Sequence, residues 1–204
     1  MLKVAVLVSG RGSNLPALID VCTKDGFPAE IVTVISNVPD VFALERAEKA
    51  GIATCVVNHR DYPDRQSFET ELQVAIADSG AELVCLAGFM RILTDGFVNQ
   101  WRDRLVNIHP SLLPSFKGVH VHEQALEAGV KVSGCTVHFV VPDLDSGPII
   151  AQETVPVLQE DDADALAARI LEAEHKCYPE ALRLIAEGRV TVTDNKTVIQ
   201  TAPA

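Results

Sequence analysis

Residues 4–16 read Val-Ala-Val-Leu-Val-Ser-Gly-Arg-Gly-Ser-Asn-Leu-Pro, and the succession of residue types in this stretch decides the fold class. The opening apolar run has the length of a strand, and the polar, glycine-rich residues 9–14 close it. Pro16 then opens an apolar segment over 15–21; a proline in the first turn of a helix gives up no hydrogen bond. The pattern predicts strand, glycine turn, helix. Residues 31–35 are β-branched and continuous, Ser36-Asn37 and Pro39-Asp40 follow, and a helix is predicted over 42–50 with Gly51 as its stop. Residues 52–57 are a further strand candidate. Asp64 caps a helix whose Phe68, Leu72, Ala75 and Ile76 recur at helical spacing up to Ser79-Gly80, and residues 83–87 form another strand, ended by Gly88. Apolar strands alternating with helices predict an α/β protein with a Rossmann-like, mostly parallel sheet covered by helices on both faces. In such sheets ligands bind outside the carboxyl ends of the strands, which singles out the loops after Val8, Ile35, Ala87 and Ile108.

The second half changes style. Residues 135–141 alternate, with Cys135, Val137, Phe139 and Val141 on one face. Residues 161–176 read as a capped helix with Leu166, Ile170 and Ala173 on one stripe, and Pro179 is expected to kink or restart it. Residues 190–200, interrupted by Asp194-Asn195, predict a terminal antiparallel hairpin. No repeat or linker is visible, so a single domain over 1–204 is expected.

Composition narrows the function. With 48% apolar and 22% charged residues the 204-residue chain can build a large core. Its net charge of −11, from 17 basic and 28 acidic residues, repels nucleic-acid backbones and anionic lipid. Small-molecule partners are expected, with no nucleic acid and no membrane, and an anionic substrate must be held by a local device. The first apolar run stops at Gly10, too soon for a signal or membrane-spanning segment, which points to a cytoplasmic protein. Five cysteines, Cys22, Cys55, Cys85, Cys135 and Cys177, stand singly. They suggest neither a disulfide framework nor a zinc site and are expected to be mostly buried.

The glycine turn offers the local device. At a loop entering a helix, unpaired amides and the positive end of the helix dipole converge, and Gly12, Ser13 and Asn14 stand where a phosphate would meet them. A plain tight turn fits the same residues. No lysine follows to make a Walker loop, Leu15 occupies the place of a third dinucleotide-binding glycine, and Ser36-Asn37 replace the acid that would hold a ribose. Within Leu105-Val106-Asn107-Ile108-His109-Pro110, an extended chain puts Asn107 and His109 on one side. An amide donates to a developing oxyanion and an imidazole moves protons, although a buried structural histidine also fits. Asp145, at the tip of Leu144-Asp145-Ser146-Gly147-Pro148, is the third candidate: beside His109 it would favour the imidazolium and fix its tautomer, whereas read alone it is a turn residue. This set resembles acyl-transfer machinery without a serine or cysteine nucleophile. His120 and His122 are too sparse for a metal site, and no metal is expected.

The runs G-R-G-S-N-L over 10–15, A-G-F-M-R-I-L over 87–93, N-I-H-P-S-L-L-P over 107–114, H-F-V over 138–140 and L-D-S-G-P over 144–148 together resemble the folate-dependent formyltransferases. Among these the chain is similar, over nearly its whole length, to the enzymes that formylate glycinamide ribonucleotide in purine synthesis. The resemblance implies the formyltransferase fold with C-terminal antiparallel strands, a nucleotide-binding half over 1–100 and a folate-binding and catalytic half over 101–204, 10-formyltetrahydrofolate as co-substrate and a catalytic trio of Asn107, His109 and Asp145. It implies that the nucleotide phosphate sits on Gly12, Ser13 and Asn14, with Leu171, Glu172, Ala173 and Glu174 meeting the rest of that substrate. It implies folate contacts at Arg65, Met90, Arg91, Ile92, Leu93 and Asn107, and at the loop Val141, Pro142, Asp143, Leu144 and Asp145. Without the resemblance, residues 89–93 read equally as core, and Glu174 beside His175 as a solvated helix-surface pair. Formyltetrahydrofolate hydrolases carry an extra amino-terminal domain and methionyl-tRNA formyltransferases an extra carboxyl-terminal one; a start at the first strand and an acidic balance argue against both. A non-catalytic nucleotide-binding module would use the glycine turn and leave the trio idle. Monomer and homodimer are equally compatible with the sequence.

Overall fold

β1 (Leu2–Val8) is the axis of the first half of the chain. Val4, Ala5, Val6, Leu7 and Val8 are all fully buried, as expected of a run that is apolar on both faces; each contributes roughly 1–3 kcal/mol through burial. β1 pairs in parallel with β2 (Ala29–Ser36) and with β4 (Leu83–Leu86), and β2 pairs in parallel with β3 (Thr54–Val56), giving the order β3-β2-β1-β4. The intervening helices are α1 (Leu15–Cys22), α2 (Phe42–Lys49) and α3 (Arg65–Asp78). Asp64 caps α3 as expected, its carboxylate accepting the Ser67 amide at 2.7 Å. β3 is shorter than the predicted 52–57, because the Ile52 amide is committed to the Ala47 carbonyl that closes α2. α4 (Asp95–Gln100), which the sequence pattern did not mark, is capped by Thr94. The buried Glu69 carboxylate in turn accepts both the Thr94 amide and its hydroxyl.

This computed structural model describes residues 1–201 and falls into two units, Met1–Val106 and the residues from Asn107 onward. β5 (Leu105–His109) spans that boundary and delivers Asn107 and His109 to the second unit. There follow α5 (Val121–Glu127), β6 (Val132–Phe139), β7 (Ile149–Pro156), α6 (Ala163–Ala186) and the hairpin β8 (Val190–Thr193)–β9 (Lys196–Ile199). The order is β5-β6-β7, with β6 and β7 antiparallel. The predicted terminal hairpin is present and turns at Asp194 and Asn195, both with positive φ. The expected α/β fold, mostly parallel with antiparallel strands toward the C-terminus, is therefore observed.

Three local expectations are corrected. The alternating strand occupies 132–139 and not 135–141: its register shifts at Val137/His138, and the Phe139 amide bonds the Pro148 carbonyl, so Val140 and Val141 already belong to a loop. α6 runs through Pro179 without restarting. Proline removes one helical hydrogen bond, but Cys177, Tyr178, Pro179, Ala181 and Leu182 are buried around it and hold the helix in place. The cap of α6 is Asp162, which accepts the Ala165 amide, and not Asp161. Asp161 accepts the Leu158 amide and a two-pronged bond from Arg169 at 2.7 and 2.8 Å. Of the five cysteines Cys85, Cys135 and Cys177 are buried, and Cys22 and Cys55 are half-buried. Among the described residues no helix is long and apolar enough to cross a membrane.

The Asp161–Arg169 pair sets a pH dependence. The bond from Arg169, followed by that from the Leu158 amide, lowers the Asp161 carboxyl from 3.8 to about 2. A group whose folded value is depressed stabilises the fold above its unfolded value and loses that contribution as pH falls through the folded one. Wild type is therefore expected to melt higher than Asp161→Asn at about pH 5, with the gap closing between 3.8 and about 2. A gap in melting temperature that does not change with pH would contradict this.

Candidate active site

In the first unit the loop after β1 forms a cavity of about 360 Å³ together with Asn37, Val38, His59, Gly88, Met90 and Arg91. Gly12 is required there twice over. Its φ is +57°, and a Cβ would lie 2.7 Å from the Ala43 Cβ. The Gly12 carbonyl accepts the Leu15 amide, which starts α1 with Pro16 in its first turn. Asn14 is buried at the helix start and Ser13 is exposed. Ser9 ties the walls together: its hydroxyl donates to Asn37 Oδ1 at 2.5 Å and accepts the Met90 amide at 2.7 Å. His59 Nδ1 lies 2.8 Å from the Asn37 carbonyl; a carbonyl only accepts, so Nδ1 carries the proton. The strand-end rule pointed to the loops after Val8, Ile35 and Ala87 but missed His59, which follows β3.

The loop 89–93 is not plain core. Met90 is 82% and Ile92 66% exposed, whereas Leu93 is buried. The Arg91 guanidinium lies 5.3 Å over the Phe68 ring, and its Nε is buried without a hydrogen-bond partner. Arg65 is the exposed first residue of α3.

In the second unit β5, β6 and the loop after β6 converge. His109 and Asp145 side chains are 6% and 7% exposed, with His109 Nδ1 3.6 Å from Asp145 Oδ2. His109 Nε2 lies 2.8 Å from the Phe116 carbonyl, so Nε2 carries a proton and donates it there. Asp145 Oδ2 accepts the Gly118 amide at 2.8 Å. Asp145 itself has φ +47°, in the left-handed region that aspartate tolerates better than most residues. His138 donates from Nδ1 to the Phe139 carbonyl at 2.9 Å, leaving Nε2 to accept from Asn107 Nδ2 at 3.5 Å. Burial lowers the His138 pKa, outweighing the Phe139 bond and nearby Asp145, both of which favour charge. The 3.9 Å approach of His138 Nε2 to Asp145 Oδ1 is then a neutral contact and not an ion pair. His138, the Phe116 carbonyl and the Gly118 amide were not assigned roles from sequence; only the H-F-V run carried a signal.

Val141, Pro142, Asp143 and Leu144 form the loop that leads into Asp145, and Pro142, Asp143 and Leu144 are exposed. On α6 Leu171 is half-buried, Glu172 exposed and Ala173 buried; Glu174 is 6% exposed. The expectation of a solvated Glu174–His175 pair is thus corrected, because Glu174 lies four residues after Ile170 and three before Cys177, on the buried stripe. His120 caps α5 with φ +59° and lies 3.5 Å from the Glu123 carboxylate at the surface. The pKa of His122 is lowered by burial. Burial pushes the Cys22 thiol up to about 12 and raises Cys55; contact with Cys177, then burial, raises Cys135. None of these three is an activated nucleophile.

A half-buried amide, a buried histidine anchored on a backbone carbonyl and a carboxylate beside it, on an α/β scaffold with a glycine turn, are the arrangement of a group-transfer enzyme. The chain belongs to the formyl transferase family, whose model matches residues 2–182. It is 44% identical over 194 residues to the phosphoribosylglycinamide formyltransferase of Escherichia coli strain K12, covering 95% of this chain and 92% of that one. It is 53% identical over 193 residues to the trifunctional purine biosynthetic protein adenosine-3 of Bos taurus, covering 95% of this chain but only 19% of that protein. It thus spans about a fifth or less of the trifunctional relatives that it matches. A solved structure of glycinamide ribonucleotide transformylase 1 from Symbiobacterium toebii matches with a TM-score of 0.96 and 45% identity, over 98% of this chain and 95% of that one.

The hydrogen bonds around His138 make a spectroscopic prediction. Imidazole ¹⁵N NMR is expected to show His138 neutral, with its proton on Nδ1, as pH is lowered through 6.5, the ordinary histidine value. A charged His138 at that point would turn its contact with Asp145 into an ion pair and overturn the assignment.

Proposed function

We propose that this protein transfers the formyl group of 10-formyltetrahydrofolate to the amine of glycinamide ribonucleotide, a step of purine synthesis. The observation that carries the reading is the cluster of half-buried Asn107 with the buried side chains of His109 and Asp145, in a chain whose near-full-length relative is named for that reaction.

The substrate amine attacks the formyl carbon, a C–N bond forms and the carbonyl oxygen becomes an oxyanion. Asn107 Nδ2 has two hydrogens; one faces His138 Nε2 and the other is the donor to the oxyanion. His109 Nε2–H is committed to the Phe116 carbonyl, so Nδ1 is the working nitrogen and, when protonated, donates to the same oxygen. The 3.6 Å between Nδ1 and Asp145 Oδ2 is longer than a hydrogen bond and is a separation that a shared proton carrier can bridge. Collapse of the intermediate breaks the bond to folate N10, and the proton lost by the attacking ammonium passes by way of Asp145 to that leaving nitrogen.

The same reading assigns the nucleotide phosphate to Gly12, Ser13 and Asn14, and the remainder of that substrate to Leu171, Glu172, Ala173 and Glu174. Folate is assigned to Arg65, to residues 90–93, to Asn107 and to residues 141–145. The exposed apolar Met90 and Ile92 support it, since a flat heteroaromatic ring needs such walls. The protein works on small molecules in the cytoplasm, without nucleic acid, membrane or metal.

Purified protein is expected to form formylated ribonucleotide only when both substrates are present. Equal consumption of donor without the ribonucleotide would make it a hydrolase, and no turnover at all would make it a binding module. His109→Ala is expected to lower kcat by about 10²-fold or more, the scale of a positioned acid–base group, and Asp145→Asn is expected to lower it as well. Near-native turnover in His109→Ala would remove the trio from the chemistry.

A further inference from the structure

Thr136 lies at the centre of β6, fully buried, and its hydroxyl has three partners. It donates its single hydrogen to the Ser111 carbonyl at 2.7 Å. It accepts the Leu113 amide at 3.0 Å and Gln152 Nε2 at 3.0 Å. Gln152 faces Thr136 across the β6–β7 ladder, and its amide nitrogen also donates to the Leu113 carbonyl at 3.0 Å. Both ends of the 111–113 backbone are therefore fastened to one cross-strand pair.

From this anchored segment the Ser111 hydroxyl reaches forward to the Ser115 carbonyl at 2.6 Å and the Phe116 carbonyl at 3.0 Å. Phe116 has φ +53°, a conformation that a bulky side chain keeps only when its surroundings over-determine it. Its carbonyl oxygen is the one that takes the proton of His109 Nε2. Two residues on, the Gly118 amide holds Asp145. Besides the β5–β6 pairing of the strands themselves, the loop thus connects Thr136 and Gln152 to the His109 side chain through hydrogen bonds.

We infer that Thr136, with Gln152 behind it, is a positioning residue: it fixes the 111–118 loop so that the Phe116 carbonyl locks the His109 tautomer and leaves Nδ1 as the working nitrogen. This rests on the catalytic reading of His109 proposed above. Thr136 is fully buried with its hydroxyl taken up by protein groups, so it acts through the loop and not on a ligand. A threonine in a strand needs no such saturation for packing, and a valine fills the same volume; the hydroxyl is what the loop requires.

The test compares Thr136→Val, which keeps the shape and removes the hydroxyl, with Thr136→Ser, which keeps the hydroxyl. Both are assayed in the full chain with 10-formyltetrahydrofolate and glycinamide ribonucleotide. Thr136→Val is expected to lower kcat about tenfold or more, the scale of a displaced catalytic group, with KM for either substrate within about twofold; Thr136→Ser is expected to restore most of kcat. In ¹⁵N NMR the His109 Nε2–H tautomer is expected in wild type and Thr136→Ser and mixed tautomers in Thr136→Val. A normal kcat with an unaltered His109 spectrum in Thr136→Val, or a loss confined to KM, overturns the inference. If circular dichroism shows Thr136→Val unfolded, Gln152→Leu, which deletes only the outer donor, takes its place with the same expected split and the same overturning result. His109→Ala is run alongside: near-native turnover there overturns the catalytic reading itself, whereas an inactive His109→Ala beside a normal Thr136→Val overturns only the role of Thr136.

Discussion

The second unit is organised around a place where two stretches of backbone come closer than any side chain allows. A Cβ on Gly147 would stand 1.7 Å from the Phe139 carbonyl oxygen and 3.5 Å from His138 Nδ1. No rotamer relieves such an overlap, because the obstacle is backbone. The approach lets the Phe139 amide bond the Pro148 carbonyl and turns the chain back on itself directly after β6. That return carries Asp145 to His109 and keeps the Phe139 carbonyl available to the proton of His138. A side chain at 147 would have to move the strand end or the loop, and with it either the carboxylate or the histidine that orients Asn107.

Around that crossing the polar groups are satisfied mainly by backbone. The Phe116 and Phe139 carbonyls take the histidine protons, and the Gly118 amide meets Asp145. A buried donor or acceptor left unmade costs about 1–3 kcal/mol, and a buried charge costs more. Backbone partners lower that cost without adding charges that would compete for the reacting atoms. They also fix proton positions, since a carbonyl can only accept. The two histidines are thereby set in opposite tautomers: His138 holds its proton on Nδ1 and offers Nε2 to Asn107, whereas His109 holds its proton on Nε2 and offers Nδ1 to the site. Burial lowers the His138 pKa, so its approach to Asp145 is a contact of a neutral ring.

These backbone roles explain what was legible in the sequence and what was not. The buried parallel strands, the glycine turn and the Asp64 cap announce themselves through residue type and period. So do Asn107 and His109, which share one side of a strand. A carbonyl or an amide carries no residue signature, so neither Phe116 nor Gly118 could be read as a partner. β7 escaped notice because its burial is irregular, with Gln152, Glu153 and Thr154 between apolar ends; its partner strand, and not its own pattern, defines it. Pro179 suggested a break that burial of the surrounding residues overrides. Glu174 is a different case. The spacing Leu166, Ile170, Ala173, Glu174, Cys177, Tyr178 puts it on the apolar stripe, so its burial was readable from the helical period.

The net charge of −11 poses the question of how such a chain would hold the anionic substrate proposed for it, and the lining of the first-unit cavity supports a local answer. The residues lining the cavity at the end of β1 include Arg11, His59 and Arg91, the glycine-turn amides and no carboxylate. Screening at physiological ionic strength limits exposed charges to about 8 Å, so the acidic excess carried elsewhere on the chain weighs little against groups lining the same cavity. A polyanion is different, because it meets the whole surface and feels the summed charge. On the proposed reading the acidity would select by size: a single phosphate would meet a pocket whose immediate walls are neutral or basic, whereas an RNA chain would meet the summed negative charge.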